Sequence, residues 1–241
     1  MGFIFASGGS ASICGLDICK KNNQIKKITG YVPSDVRLYS DMRVKELLIR
    51  NAAFYSGDFS DEINRLCESF EVDINKRFNE LSTGNKKKVS IICALMTNPK
   101  IIILDEPTNG LDPMMQKRLF EELKIRTKNG SSVLLSSHNL SEVQEYCNRV
   151  AFIKSGSILA VIDLAKDFVQ TKIITVVGED EEVPIGFEFL SRENGKRIFR
   201  TELNGNELIK ALDGLNLTDF TVENESIDAH FWSLYGKESV V

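Results

Sequence analysis

The residues best suited to chemistry follow a short apolar run in the middle of the chain. Residues 101–104 are typical of a buried strand, and Asp105 and Glu106 come directly after them. Ligands of α/β sheets bind at the carboxyl ends of the strands. One carboxylate there can hold Mg²⁺ beside substrate phosphates, and the other can accept a proton from an attacking water. The structural alternative is an acidic pair that only caps the next helix.

A histidine follows the next predicted strand. Residues 133–135 are apolar, and His138 comes three positions after them. Because neighbouring parallel strands end at one edge, the sequence predicts that His138 lies near Asp105 and Glu106. There it could donate a hydrogen bond to a terminal phosphate oxygen. The second histidine, His230, falls in a predicted amphipathic helix, and we interpret it as structural.

A third group of candidates precedes a predicted helix. Ser82 and Gly84 lie in the stretch 81–85, and the free amides of a first helical turn can bind an anion. The alternative is an ordinary serine N-cap with a glycine beside it. The stretch precedes Asp105 by the length of one helix and one turn, and this position favours phosphate recognition.

The surrounding pattern supplies elements that could position these residues. Upstream of residue 165, apolar runs alternate with helical patterns, which predicts an α/β core with a buried parallel sheet. The predicted strands are residues 101–104, 133–135 and 150–153, and the predicted helices are residues 61–70, 86–96 and 114–127. The lysines at 86–88 are interpreted as a solvated helix face without a ligand, with Val89 and Ile92 packing inward.

Composition and charge indicate one globular core with a smaller appendage. Of 241 residues, 42% are hydrophobic and 27% charged, and the net charge is −4. Residues 170–241 carry 7 basic and 14 acidic side chains, whereas the residues before them carry 23 and 20, which predicts a boundary at residues 165–171. Downstream, the predicted strands are residues 172–177 and 197–203, and the predicted helices are residues 207–212 and 226–235.

Several classes of protein are disfavoured by the same sequence. No apolar stretch approaches the roughly 20 residues of a membrane helix, and the first residues lack the basic region of a secretory signal. The five cysteines are irregularly spaced, which argues against a disulfide framework or a zinc knuckle. The absence of a basic stripe argues against nucleic acid as a partner. We therefore expect a soluble, cytoplasmic protein.

Taken in order, these motifs resemble those of the ATP-binding subunit of an ATP-binding cassette (ABC) transporter. The matches are residues 30–34 with the Q-loop, 81–85 with the signature motif, 101–106 with Walker B, 110–113 with the D-loop, and His138 with the switch histidine. Ser34 stands where most members have glutamine, and Thr83 and Asn85 depart from Leu-Ser-Gly-Gly-Gln. Such departures resemble bacitracin-resistance and related ABC-2 exporters.

The resemblance covers about residues 7–165 and implies a role for each matched residue. Asp105 would hold Mg²⁺, Glu106 would act as the base toward water, and His138 would contact the γ-phosphate of ATP. The residues expected to bind the nucleotide, some of them across a dimer interface, are Ser34, Ser82, Gly84, Asn85 and Asp112. The implied partners are an ABC-2 type membrane permease, which would hold the chain at the inner face of the membrane, and a second ATP-binding subunit, identical or different.

One motif of this family is missing. A phosphate-binding loop needs Gly-x-x-x-x-Gly-Lys-Ser/Thr, whose amides and lysine surround the phosphates. Residues 8–15 lack this spacing, and Leu16 and Asp17 stand where lysine and serine would be required. We therefore expect an N-terminally truncated cassette, explained by truncation, a misassigned start or gene decay. Autonomous ATP binding would be weaker by about a thousandfold or more.

The implied fold is an incomplete P-loop NTPase core of the ABC ATPase type with a small α+β accessory domain behind it. The core would cover residues 1–168 and include a helical subdomain at about 38–97, and the accessory domain would cover residues 172–241. The expected function is ATP hydrolysis that powers a separate permease, of export type. The alternative is a non-catalytic remnant or interaction module that donates its signature motif to an intact partner. Soluble ABC proteins of translation or chromosome maintenance are a weaker third class, because tandem cassettes and a coiled-coil insertion are absent.

Overall fold

The chain forms two compact units that divide between His138 and Asn139. The computed structural model describes residues 2, 4, 6–37, 41–164, 171–178, 183–213 and 215–225. Residues 165–170 of the predicted boundary and the predicted helix at 226–235, with His230, lie outside the described residues. So do residues 38–40 of the predicted helical subdomain. The predicted domain limits therefore stay a prediction.

The first unit contains five helices and five strands among its described residues. In chain order they are β1 (Ser12–Ile13), β2 (Leu16–Asp17), α1 (Asn22–Lys27), β3 (Thr29–Val32), α2 (Val44–Ala52), α3 (Ser60–Ser69), α4 (Thr83–Leu95), β4 (Ile101–Asp105), α5 (Pro113–Lys128) and β5 (Ser132–Ser136), with a short 3₁₀ helix at Phe78–Glu80 before α4. The predicted strands at 101–104 and 133–135 and the three predicted helices of this unit are confirmed.

The sheet that carries the candidate residues is parallel and has the order β3-β4-β5. Ile102 and Leu104 of the central strand are buried, as the predicted core required. On β3, a Cβ at Gly30 would lie 2.1 Å from the carbonyl oxygen of Ala94 in α4. A glycine at this position therefore lets the helix pack directly against the strand.

The interpretation of residues 86–88 as a solvated face is wrong for two of the three lysines. Lys87 is 2% exposed and Lys88 is 9% exposed. The reason is that α4 packs against β3, α2 and α3, so most of its circumference is covered. A helix enclosed in this way has no broad face left for solvent.

Helices α3 and α5 are joined by a partly buried group of charges, the helix cluster, formed by Glu62, Arg65, Glu122 and Arg126. The Arg126 guanidinium lies 2.7 Å from the Glu122 carboxylate, and each side chain is 4% exposed. Arg65 lies 2.8 Å from Glu122 and 2.9 Å from Glu62. Arg126 also contacts Glu62, so two acids and two bases neutralise each other.

The glycine-rich residues 8–15 lead into a hairpin instead of a phosphate-binding loop. Strands β1 and β2 pair in antiparallel register across Cys14 and Gly15. Both turn residues have positive φ, 51° and 76°, the combination that two-residue hairpin turns require. This agrees with the sequence argument that residues 8–15 are not the missing motif.

The second unit contains two helices and six strands among its described residues. They are α6 (Leu140–Tyr146), β6 (Arg149–Lys154), β7 (Ser157–Asp163), β8 (Lys172–Gly178), β9 (Phe187–Glu193), β10 (Lys196–Thr201), α7 (Gly205–Asp213) and β11 (Leu217–Asn224). The strand predicted at 150–153 is present, but its placement in the parallel sheet is wrong. It pairs with β7 as an antiparallel hairpin, because Ser155 and Gly156 form a turn with φ of 49° and 81°.

Downstream of the hairpin, an antiparallel sheet packs against one helix. The strand order is β11-β8-β10-β9, and the core between sheet and α7 contains Ile174, Phe199, Leu208 and Leu212. The predicted strands at 172–177 and 197–203 and the predicted helix at 207–212 are confirmed. Among the helices described, none combines the length and apolar character needed to cross a membrane.

Candidate functional site

Asp105 at the end of β4 and Ser136 at the end of β5 lie side by side at the carboxyl edge of the parallel sheet. The two residues are register partners, and the Ser136 hydroxyl donates a 2.6 Å hydrogen bond to Oδ1 of Asp105. This bond, together with the nearby hydroxyl and amide of Ser34, lowers the pKa of Asp105 although partial burial opposes the shift. The carboxylate is therefore ionised at neutral pH and suited to a hard cation.

Glu106 leaves the strand in a backbone conformation that is unusual for a residue with a side chain. Its φ is +45°, in the left-handed region. Its N–H donates to the carbonyl oxygen of Ser136 at 3.2 Å and to the hydroxyl of Ser136 at 3.1 Å, and these bonds hold the turn. Non-glycine residues kept in this region concentrate at functional sites.

His138 lies against the Glu106 side chain. Nδ1 of the imidazole is 2.8 Å from Oε2 of Glu106, and the two side chains are 75% and 23% exposed. The predicted meeting of Asp105, Glu106 and His138 at one sheet edge is therefore confirmed. A neutral imidazole donates from only one ring nitrogen. His138 can thus donate to Glu106 and to a phosphate at the same time only as an imidazolium.

Ser34 reaches the same edge from the turn that follows β3. Its hydroxyl and its backbone amide face the Asp105 carboxylate and lower its pKa. The Q-loop resemblance gave Ser34 as a residue expected to bind the nucleotide, and the structure places it beside Asp105, the residue expected to hold Mg²⁺. Because the side chain is exposed, its oxygen is accessible to a ligand.

Lys87 was missed by the sequence reasoning. Its Nζ donates to the carbonyl oxygens of Pro33 at 2.9 Å, Ser34 at 3.2 Å and Asp105 at 3.3 Å. It therefore links the segment after β3 to the end of β4 through backbone carbonyls. The signal that could have found it is the run of apolar and small residues at 89–96, which indicates a helix buried on most sides.

Ser82, Gly84 and Asn85 form a separate group at the start of α4. Ser82 is the N-cap, and its hydroxyl accepts a 3.3 Å hydrogen bond from the Asn85 amide. A Cβ on Gly84 would lie 2.4 Å from the carbonyl oxygen of Gly110. Gly84 therefore permits a close backbone approach within the chain, and the predicted contact with a nucleotide stays a prediction.

Asp112 acts as the N-cap of α5. Its carboxylate accepts a 3.0 Å hydrogen bond from the Met115 amide, and Pro113 occupies the first turn, where a missing N–H costs little. The observed contact is that of an ordinary helix cap. The predicted role of Asp112 between two nucleotide sites stays a prediction.

The oxygen donors at the sheet edge fit Mg²⁺. Asp105 supplies an ionised carboxylate and Ser34 a hydroxyl, and both are hard ligands. In the described parts of the chain, no three His, Cys, Asp or Glu side chains gather as a metal site. Magnesium is commonly held by one or two carboxylates together with substrate phosphates. The donors therefore suit a metal that arrives with a phosphate-bearing ligand.

Comparisons with known proteins agree with this arrangement. A family model described as ABC transporter matches residues 2–109. The ABC transporter ATP-binding protein YtrB of Bacillus subtilis (strain 168) is 30% identical over 162 residues, which are 67% of this chain and 55% of YtrB. The chain thus spans about half the length of that relative.

Other relatives are covered more fully. The Nod factor export ATP-binding protein I of Burkholderia thailandensis is 28% identical over 222 residues, 88% of this chain and 71% of the relative. The uncharacterized ABC transporter ATP-binding protein BpOF4_11395 of Alkalihalophilus pseudofirmus is 30% identical over 185 residues, 74% of this chain and 67% of the relative.

A solved structure of an ATP-binding subunit of an ABC transporter resembles the chain with a TM-score of 0.65 and 27% identity, covering 68% of this chain and 70% of that one. This likeness confirms the predicted fold class, an α/β core of the ABC ATPase type. The shared motifs, the family model and the relatives lead to one conclusion: the chain belongs to the family of ABC transporter ATP-binding proteins.

Proposed function

We propose that this chain is the ATP-binding and ATP-hydrolysing subunit of an ABC transporter that powers a separate ABC-2 type permease in export. The observation that carries the proposal is the meeting of Asp105, Glu106 and His138 at one sheet edge. Membership of the family supports ATP as the substrate. The relative named as a Nod factor export protein supports the direction of transport.

The Mg²⁺ site of the proposed enzyme would be formed by Asp105 and Ser34. A divalent ion bound there would neutralise charge that develops on the transferred phosphoryl group. The 2.6 Å hydrogen bond from Ser136 fixes the orientation of the Asp105 carboxylate, and Ser136 and Ser34 both favour its charged form. Because the carboxylate is prepared before a ligand arrives, little reorganisation is needed on binding.

Glu106 would act as the general base. Its carboxylate accepts a proton from water while the water oxygen attacks the γ-phosphorus, and the bond from that phosphorus to the bridging oxygen breaks to release ADP. The Glu106 side chain is 23% exposed, so a water molecule can reach it. The imidazole of His138 orients the carboxylate through the 2.8 Å contact, and on the imidazolium the second N–H is left for a phosphate oxygen.

The start of α4 would serve the nucleotide of a second subunit. This helix has 13 residues, and its N-terminus carries partial positive charge that favours a phosphate. In a head-to-tail dimer, identical or mixed, Ser82, Gly84 and Asn85 would face the partner's ATP, and Asp112 would lie between the two sites.

A second candidate function is an interaction module that lends its signature turn to an intact partner without hydrolysing ATP. The observation in its favour is that the signature turn is formed within this chain, with Ser82 as the N-cap of α4 and Gly84 close to the backbone of Gly110. In such a module Ser82 and Gly84 would matter, whereas Glu106 and His138 would be dispensable.

The deciding experiment measures phosphate release at saturating Mg²⁺ and ATP by the chain purified with an ABC-2 type permease. Glu106→Gln is expected to lower the rate by about 10² to 10⁴-fold, because it removes the base without changing the size of the side chain. Glu121→Gln is the matched control, since Glu121 is exposed on α5. Its rate and melting temperature should equal those of the wild type.

Equal rates for the wild type and Glu106→Gln would overturn the catalytic proposal. Ser82→Arg then tests the second candidate, by its effect on the ATPase rate of an intact ABC subunit assembled with this chain. A loss of that rate would support the module, and an unchanged rate would remove it.

A further inference from the structure

Lys87 is a buried cation that has no role in the proposed hydrolysis reaction. Lysine is among the residues least often fully buried, yet this side chain is 2% exposed. It is the fifth residue of α4, on the side that packs against β3. A charge taken out of water in this way is costly unless its hydrogen bonds are replaced, so the partners of Lys87 indicate its role.

The partners of Lys87 are three backbone carbonyls. An ammonium has three N–H donors, and the acceptors are Pro33, Ser34 and Asp105, at 2.9, 3.2 and 3.3 Å. Two of these residues follow β3 and the third ends β4. Burial lowers the pKa of Lys87, while the charges of Asp105, Glu106 and Asp35 oppose that effect. These donors go to carbonyl oxygens, so the carboxylate oxygens of Asp105 stay available to other partners.

The two segments that Lys87 joins are the two sides of one contact. The hydroxyl and amide of Ser34 face the Asp105 carboxylate and lower its pKa, and Lys87 donates hydrogen bonds to the carbonyls of both Ser34 and Asp105. The β3 turn is exposed at Ser34, and serine has a short side chain. Because the Ser34 side chain is short, it can reach the carboxylate only if the two backbone segments stay at a fixed separation. The hydrogen bonds from the Lys87 ammonium supply that constraint.

We infer that Lys87 is a positioning residue of the metal site, which holds the Ser34 turn against the end of β4 and acts on Asp105 through Ser34. This inference rests on the proposed Mg²⁺ role of Asp105 for its functional meaning, but the positioning itself is independent of any nucleotide. Methionine fills a similar volume without donors, and arginine keeps a charge and donors. The pair of substitutions thus separates hydrogen bonding from packing.

The test is amide hydrogen exchange measured by NMR on the full chain. In Lys87→Met, the Ser34 amide should exchange at least about tenfold faster than in the wild type, because the Ser34 turn is no longer tied to the end of β4 and moves away from the Asp105 carboxylate more often. The amide of Ile103 in the middle of β4 should be unchanged. Lys87→Arg should restore most of the Ser34 protection. Lys86→Met is the control, since Lys86 lies on the same helix with its Nζ over the Phe78 ring.

Unchanged Ser34 exchange in a folded Lys87→Met would overturn the inference, and so would equal losses in the Met and Arg variants. If Lys87→Met does not fold, the wild type decides. Scalar couplings from Lys87 Nζ to the carbonyls of Pro33, Ser34 and Asp105 should be detected, and their absence would contradict the proposal.

A second measurement separates this inference from the proposed function. Mn²⁺, used as a paramagnetic substitute for Mg²⁺, should broaden the amide signals of Ser34 and Ser136 in the wild type, and several-fold higher Mn²⁺ should be required in Lys87→Met. Ser34→Ala should raise this requirement less in Lys87→Met than in the wild type, because both substitutions act on one contact. No broadening in the wild type would count against the metal site, whereas the exchange result would still decide the positioning.

Discussion

The first unit holds two groups of charges that are built in opposite ways. In the helix cluster, two glutamates and two arginines pair with one another, and Glu122 and Arg126 are each 4% exposed. At the sheet edge, a second group, the edge cluster, contains Asp105, Glu106, His138 and Lys87. Here the buried cation is bonded to carbonyls, and the carboxylates face serine hydroxyls and an imidazole instead of a guanidinium.

The difference shows what a closed and an open charge arrangement can do. In the helix cluster the bonds from Arg65 and Arg126 lower the pKa of Glu62 although burial opposes them, and the charges are satisfied within the protein. In the edge cluster the carboxylates keep lone pairs that a metal or a water can use, and a strained residue is held among them. Substitutions in the closed cluster should therefore change stability, and substitutions in the open cluster should mainly change ligand binding and rate.

The largest expected effect on stability is that of Arg126→Met. Removing one member of a buried ion pair leaves its partners charged and incompletely paired, so the free energy of unfolding should fall by about 3 kcal/mol. Arg65 still contacts Glu122, which limits the loss. Urea unfolding at neutral pH measures it. Lys124→Met, exposed on the same helix, is the matched control and should change stability by less than about 0.5 kcal/mol.

If Arg126→Met were as stable as Lys124→Met, that result would contradict the proposed difference between the two clusters. The difference would also be contradicted if the Arg126 variant lost Mn²⁺ binding at Asp105 while remaining folded, because that result would join the two groups functionally.

A smaller effect is expected in the edge cluster from Ser136→Ala. The substitution removes the 2.6 Å hydrogen bond to Asp105, and because Ser136 is exposed this should lower stability by only about 1 kcal/mol at neutral pH. The Glu106 amide retains the Ser136 carbonyl as a partner. The control is Ser132→Ala, exposed on the same strand and the same face of the sheet. An equal loss in both variants would show that the hydroxyl bond contributes nothing specific.

The edge cluster was the part of the site that the sequence predicted best. An apolar run followed by Asp105 and a second run followed by His138 suffice to place these residues at one edge, since parallel neighbours end together. Nothing in that pattern shows how the carboxylates are held. The hydrogen bond from Ser136 and the left-handed φ of Glu106 depend on strand register and on a turn, which three-dimensional packing decides.

Lys87 shows why a charge run is weak evidence for exposure. Three successive helical residues point in directions about 100° apart, so a helix covered on most sides must bury some of them. The apolar residues that follow at 89–96 carried that information, but the sequence could not show which carbonyls would accept the buried ammonium. Two of those acceptors, the carbonyl oxygens of Pro33 and Ser34, belong to residues more than 50 positions from Lys87 in the sequence.

The sequence contains a local signal for the antiparallel pairing of β6, which the prediction of a parallel strand did not take into account. Ser155 and Gly156 separate two apolar runs, and a two-residue turn of this type predicts an antiparallel hairpin. The parallel assignment followed from the alternation of strands and helices upstream. Local turn chemistry therefore outweighed the global pattern at this point.

The smallest expected effect is in the pH dependence of stability, and it isolates the edge cluster from the helix cluster. The pKa of Asp105 is below its ordinary value of 3.8, chiefly because of the Ser136 hydroxyl. A carboxylate with a depressed pKa contributes stability that is present above the ordinary value and is lost as the pH falls through the folded value. The difference in unfolding free energy between the wild type and Ser136→Ala should therefore shrink as the pH falls from about 5 to about 3. The difference between the wild type and Ser132→Ala should stay constant in the same urea series. Glu62 in the helix cluster keeps its arginine partners in both serine variants. The stability that the protein loses when Glu62 is protonated is therefore the same in each protein and cancels from each difference. A Ser136→Ala difference that did not change with pH would mean that the hydroxyl does not favour the charged form of Asp105.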